Sequence, residues 1–173
     1  MPNPIENIAA KGAGLVGGLQ ARTQGLKGVF VTLAEQHHEA ATLLSRAHGT
    51  EDAGKRRDLW SEIKKQLVSH ERGELAEVYP AIAARPGTTD IVQRHAEEAN
   101  QLETAINKLD GMSFEGQSWK AAIEHLTALV KQHVEEEEHD FFPRAQEALG
   151  DDGAKRLEGP FLAAKQREMN NIH

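Results

Sequence analysis

Cysteine is absent from the chain. Disulfides, thiolate metal sites and cysteine nucleophiles are therefore excluded, and a reducing, cytoplasmic compartment is the default expectation. Any metal must be held by nitrogen and oxygen, a donor set that suits iron, manganese or zinc. Aromatic residues make up only 5% of the 173 residues, which disfavours a sheet-rich core. A basic excess is also missing. The formal charge of −7 argues against nucleic acid as a partner, because phosphate neutralisation needs a basic surface. No uninterrupted apolar run approaches the roughly 20 residues of a membrane span. Residues 13–19 are apolar but short and broken by glycine, without signal-peptide flanks.

What the chain does contain is Ala, Leu, Glu, Lys and Gln in abundance, and these favour helix. The length suits one domain with a proper core. Residues 1–25, with five glycines from Gly12 to Gly25 plus Pro2 and Pro4, are expected to form a flexible or loosely packed lead-in. Periodicity then places Phe30, Leu33, His37, Ala40 and Leu44 on one face of a helix ending near Gly49. Leu59, Ile63, Leu67, His70, Glu74 and Val78 share a face of a second, which Pro80 and then Pro86-Gly87 should kink and finish. A capping box at Asp90 and Gln93 opens a third, with Ile91, His95, Leu102, Ile106 and Leu109 inward. Trp119, Ile123, Leu126, Val130, His133, Glu137 and Phe141 face inward on a fourth, which fades at Gly150. Short polar loops between them predict an all-α, antiparallel up-down-up-down four-helix bundle over residues 26–149. A short amphipathic helix within residues 150–173 should pack back on it.

Two segments nearly repeat. His70 is followed by Glu74, Tyr79 and Pro80, and His133 by Glu137, Phe142 and Pro143: the carboxylate falls four residues on, the aromatic nine and the proline ten. A spacing of four stacks histidine and carboxylate on one helical face. Each copy puts an ionisable pair at a position that faces the core, where an unpaired carboxylate is costly. His37 and His95 lie in register on the other two helices. A metal pair in the bundle core would account for all of these residues, with each carboxylate bridging two ions and histidines completing their spheres.

The series Glu35-Gln36-His37, His70-x-x-x-Glu74 with Tyr79-Pro80, Arg94-His95, and His133-Val134-Glu135-Glu136-Glu137-Glu138 with Phe142-Pro143 resembles the hemerythrin-like HHE cation-binding domain. The resemblance covers roughly residues 26–149. It implies a four-helix bundle holding two iron ions, a non-heme di-iron centre bridged by two carboxylates and usually an oxo or hydroxo group. It further implies that His37, His70, His95 and His133 are terminal ligands and that Glu74 and Glu137 are the bridges. His38 competes with His37, but shares its face with Val31, Ala34, Ala41 and Ser45, so register and the family's Gln-His pair favour His37.

One departure matters. Oxygen-carrying hemerythrins have a second histidine on the third helix, four residues after the first; here Ala99 stands there. Glu98, Glu71 and Glu138 are candidate replacement ligands or neighbours of the ligands. Tyr79, the sole tyrosine, is a candidate hydrogen-bond donor or simply an aromatic closing the bundle end. Fewer histidines and more open positions fit reaction with oxygen, hydrogen peroxide or nitric oxide better than reversible oxygen storage. Other readings are an oxygen, redox or iron sensor without turnover and a metal-free helical interaction protein. A ferritin-like site built on Glu35-x-x-His38 and Glu136-x-x-His139 is a further alternative.

Overall fold

The computed structural model describes residues 4–172, with side chains from residue 13 onward. Among the described residues the regular structure is entirely helical, and no helix is long and apolar enough to cross a membrane. The elements are α1 (Pro4–Thr23), α2 (Val29–Gly49), α3 (Ala53–Gly73), α4 (Tyr79–Ala83), α5 (Thr89–Asp110), α6 (Gly116–Glu136), α7 (Phe142–Leu149) and α8 (Asp151–Asn171). Single π-helical turns, Glu74–Val78 and Glu137–Phe141, splice α3 to α4 and α6 to α7.

These turns explain the aromatic-proline tails. The Tyr79 N–H donates to the Glu74 carbonyl and the Phe142 N–H to the Glu137 carbonyl, each five residues back. Proline has no N–H and crowds the carbonyl four residues earlier. A widened turn just before Pro80 and Pro143 lets the helix continue through both. The expected kink at Pro80 is thus a π turn, and the helix ends only at Ala83. The capping box at Asp90 does not form: α5 begins after Thr88, whose hydroxyl instead donates to the Ile82 and Arg85 carbonyls.

The core is two apolar clusters with a polar layer between them. One contains Leu44, Leu59, Trp60, Ile63, Leu102, Ile106, Trp119 and Ile123. The other contains Phe30, Leu33, Val78, Ile82, Ile91, Phe141, Phe142 and Phe161. Along α2 and α5 the chain passes from the second cluster to the first; along α3 and α6 it passes back. On each of the four helices the inward histidine falls between the two clusters. Buried Arg56 closes the far end, donating to the Thr50 and Phe114 carbonyls at 2.8 and 3.1 Å with its guanidinium over the Trp119 ring.

Both ends of the chain differ from expectation. Residues 1–3 of the glycine-rich segment lie outside the described residues. From Pro4 it is a helix, α1, lying along α2 rather than a loose lead-in. Glycine makes the approach possible: a Cβ on Gly17 would sit 2.8 Å from the Ala34 carbonyl oxygen. The C-terminal helix is not short. At 21 residues α8 matches the longer bundle helices and packs on α3 and α2 through Ala154, Phe161, Ala164 and Lys165. Gly28, at φ +51°, turns the chain where a Cβ would overlap the Ala154 backbone. Pro160 lies within this helix at an exposed position, so its missing N–H breaks no buried bond.

Gly17→Ala should loosen the α1–α2 contact and lower unfolding free energy by about 1–3 kcal/mol. Gly49→Ala, with no atom near the new Cβ, is the control and should be neutral. Equal denaturation midpoints for both variants would refute the close-approach role of Gly17.

Candidate metal centre

His37 comes from α2, His70 and Glu71 from α3, His95 and Glu98 from α5, and His133 from α6, while Glu74 and Glu137 open the two π turns. All are buried except half-buried Glu98, and Glu74 and Glu137 have no solvent exposure at all. Four groupings place one ligand atom per residue within 4.8 Å of the others: His37-His70-Glu137, His70-Glu71-Glu74, Glu74-His133-Glu137 and His95-Glu98-His133. Glu74 groups with His70 on one side and with His133 on the other; Glu137 groups with His37 and His70 and also with His133. Each carboxylate therefore reaches both halves of the layer.

On the first half, His37 Nε2 is 3.2 Å from His70 Nε2 and 3.1 Å from Glu137 Oε2. His70 Nε2 is 3.3 Å from Glu74 Oε2. On the second, His133 Nε2 is 3.6 Å from Glu137 Oε1 and 3.5 Å from Glu71 Oε1. The opposite ring nitrogens are tied back. His37 Nδ1 meets Glu138 Oε1 at 2.9 Å, His70 Nδ1 meets Gln36 Oε1 at 2.9 Å, and His133 Nδ1 meets Glu98 Oε2 at 3.1 Å. A ring nitrogen held by an oxygen acceptor carries the hydrogen, which leaves the other lone pair pointing into the layer. The Tyr79 hydroxyl donates to Glu137 Oε1 at 3.3 Å.

Many of the inner atoms have no partner. Both oxygens of Glu74, Glu71 Oε2, Glu137 Oε2, both ring nitrogens of His95 and His133 Nε2 are buried without a hydrogen bond. Elsewhere among the described residues only Arg46 and Trp119 carry such an atom. Buried polar atoms are almost always satisfied, so this concentration marks a place built for a guest. Nitrogen and carboxylate oxygen at these separations fit a transition-metal ion. The enclosed space is small: a cavity of about 20 Å³ lies among His37, His70, Glu71 and His133, bordered by Gln36 and Lys165. A cleft of about 310 Å³ between α2 and α6 reaches His37 and Glu138 from outside.

The protons of the metal-free site follow from the same packing. Burial opposes charge on His37, but the Glu137 and Glu138 carboxylates outweigh it and raise the group to about 9. The carboxylates of Glu137, Glu71 and Glu98 likewise raise His133 against its burial. His70 is pushed well down by burial and by the cations of His37 and Lys165. Burial, with Glu137 and Glu71 beside it, pushes Glu74 well above the usual carboxylate range. Glu137 goes the other way, since His133 and His37 overcome its burial. A metal ion must displace the protons on His37, His133 and Glu74, so uptake releases protons and strengthens with rising pH.

The remaining candidates lie elsewhere. His38 Nδ1 faces the Ala34 carbonyl of its own helix at 3.0 Å, and His139 Nδ1 the Glu135 carbonyl. Glu35 takes Arg22 of α1. None of them enters a grouping among the described residues, so the ferritin-like pairs do not converge. Ala99 is buried between His95 and Leu102 with no donor to offer. Sequence reasoning missed Gln36 as a partner of His70, and it missed Lys165 altogether. Gln36 stood beside His37 in the motif; Lys165 had no sequence signal beyond a lysine among buried α8 positions.

The model of the hemerythrin HHE cation-binding domain matches residues 29–145. The chain belongs to that family. Among curated proteins it is similar to a DNA nickase of Nostoc sp. (strain PCC 7120 / SAG 25.82 / UTEX 2576), 22% identical over 172 residues, 97% of this chain and 48% of the relative. The chain thus spans about half the length of that relative. No solved structure matches it.

Between pH 4.5, the ordinary glutamate value, and 6.5, the ordinary histidine value, two groups of the metal-free site act on stability with opposite sign: His70, protonated when unfolded and neutral when folded, adds stability as pH rises, and Glu74 removes it. The unfolded chain releases the Glu74 proton in that window while the folded state keeps it, a loss approaching about 1.4 kcal/mol per pH unit. Glu74→Gln removes this negative contribution and should make stability rise more steeply with pH in urea titrations at several pH values. A slope unchanged by the substitution would place the proton on another group.

Proposed function

We propose that the chain is a non-heme di-iron protein that binds or reacts with oxygen, hydrogen peroxide or nitric oxide. The observation that carries this reading is the double membership of Glu74 and Glu137: each fully buried carboxylate reaches donors on both sides of the layer and has at least one oxygen without a hydrogen bond. A single ion has no need of two carboxylates shared in this way. His37 and His70 would hold one iron, His95 and His133 the other, with Glu74 and Glu137 between them. Glu71 and Glu98 are the carboxylates placed to make up for the histidine that Ala99 replaces. The scaffold would be an antiparallel up-down-up-down four-helix bundle, supported by the reversal of chain direction between the two apolar clusters at each successive helix.

Bound iron supplies the redox chemistry; the chain supplies the setting. Glu138, Gln36 and Glu98 hold the Nδ1 hydrogens of His37, His70 and His133, keeping their Nε2 lone pairs inward. Tyr79 lends a hydroxyl hydrogen to Glu137 Oε1 and so orients one bridge. The two apolar clusters exclude bulk water above and below. A cavity of about 20 Å³ exceeds the roughly 10–15 Å³ a water needs by only a little, which favours ligands of one or two heavy atoms. The absence of cysteine fits a reducing cytoplasm.

The relative's name points to a different substrate, DNA. A formal charge of −7 disfavours it here, because a strand-cleaving protein must first neutralise phosphate. Supercoiled plasmid should remain supercoiled with the iron-loaded protein.

Iron-replete expression should yield two irons per chain with an oxo-bridge absorption in the near ultraviolet. His37→Ala, His70→Ala, Glu74→Ala, His95→Ala, His133→Ala and Glu137→Ala should each lower iron content, whereas His38→Ala and His139→Ala should not. Full iron in Glu74→Ala would break the bridge assignment. Steady consumption of peroxide or nitric oxide would make the protein an enzyme. Stoichiometric binding with a change of shape would make it a sensor.

A further inference from the structure

Helix α8 lies beyond the 29–145 stretch of the family match, yet it brings a cation to the edge of the polar layer. Lys165 is only 7% exposed. Its Nζ donates to Gln36 Oε1 at 2.6 Å, and the same oxygen lies 2.9 Å from His70 Nδ1. The approach of α8 is close: a Cβ on Gly73 would stand 3.0 Å from Phe161 Cε2 and 3.5 Å from Lys165 Cβ. Phe161 then covers the His70 ring edge-on, with centroids 6.0 Å apart.

Donor and acceptor rules give this chain of contacts a direction. A glutamine amide has an accepting end and a donating end, and by itself it can present either. An ammonium group only donates, so Lys165 accepts one orientation of Gln36, with the carbonyl oxygen facing it. That oxygen can only accept from His70, which places the hydrogen on Nδ1 and leaves the Nε2 lone pair toward Glu74 and His37. With the ammonium removed, the amide is free to turn over and donate its NH₂ to Nδ1. The hydrogen would then sit on Nε2, and ligation through that atom would first require moving the hydrogen to Nδ1 against the opposing amide donor. We propose that Lys165 is a positioning residue of the centre: through Gln36 it sets the tautomer of His70 and keeps Nε2 available to metal.

The consequence for iron rests on the di-iron reading, but the tautomer does not. It is measurable without metal, from the ¹⁵N shifts of the imidazole rings in metal-free protein, with His70→Gln assigning the His70 signals. The wild type should show the Nδ1–H form. Lys165→Met, which retains an apolar stem, should move His70 toward Nε2–H and weaken iron binding about ten- to a hundredfold, the usual effect of losing an outer partner of a ligand. Lys165→Arg should preserve the wild-type tautomer. So should the double variant Lys165→Met with Gln36→Glu, because a carboxylate accepts at both oxygens and needs no lysine to orient it. Circular dichroism checks that each variant is folded.

An Nδ1–H tautomer that persists in folded Lys165→Met overturns the proposal, even if iron affinity falls, because the effect is then only structural. A tautomer that also switches in the double variant overturns it as well. A tautomer that follows the lysine as described, in a protein that takes up no iron in any form, upholds the role of Lys165 and defeats the di-iron reading instead.

Discussion

Two carboxylates with no access to water organise this molecule. Glu74 and Glu137 sit at the middle of the bundle, each with at least one oxygen that makes no hydrogen bond. An isolated carboxylate in such a place would be strongly destabilising. The surroundings reduce that cost without removing it. His37 and His133 take up positive charge beside Glu137, and Glu74 retains its proton. What the protein leaves undone, a cation can complete. The four histidines, the carboxylates that orient them and the two apolar clusters that seal the layer all follow from that requirement.

The π turns belong to the same design. Each begins at one of the two central carboxylates and ends just before an aromatic-proline pair. Without the extra residue per turn, Pro80 and Pro143 would break their helices where the second apolar cluster needs Tyr79, Ile82, Phe142 and Ala145. The widened turn sets the Glu74 and Glu137 side chains into the layer and carries the helix on beyond them. Helix α8 then closes the side that α3 leaves open, placing Phe161 on His70 and Lys165 on Gln36. The centre is therefore framed by more than the four helices that supply its carboxylates and histidines.

Much of this was legible in the chain. A period of 3.6 with apolar residues at matched positions marks helices directly. The first ends near Gly49 as α2 does, the third from Asp90 to Leu109 matches α5 within a residue or two, and the fourth fades at Gly150, just past the end of α7. By contrast, α3 begins at Ala53, six residues before the first inward residue Leu59. The inward histidines were legible for the same reason: they interrupt an apolar stripe that would otherwise continue. Tyr79 was harder to place, because its position nine residues after His70 is compatible with either packing or hydrogen bonding. Only the rotation added by the π turn brings its hydroxyl to Glu137. The capping box at Asp90 failed because Thr88 was already engaged with the end of α4, a contact from the preceding turn that local sequence does not encode. The glycines of α1 suggested looseness, and they turned out to be the means of a tight approach to α2.

The amino-acid sequence determined which residues face inward, since that depends on helical period and polarity alone. It also excluded thiolate chemistry and made nitrogen and oxygen the only donors. The tertiary structure decided how those donors meet. Glu74 and Glu137 can each reach both halves of the layer only because α3 and α6 bring them to the same level between the two apolar clusters. Gln36 and Lys165 act on His70 only because α8 folds back onto α3, bringing together residues 129 apart in the chain. Hydrogen-bond direction, and with it the tautomer of each histidine, is a property of such distant neighbours. Helical periodicity sees one turn at a time and carries no information about them.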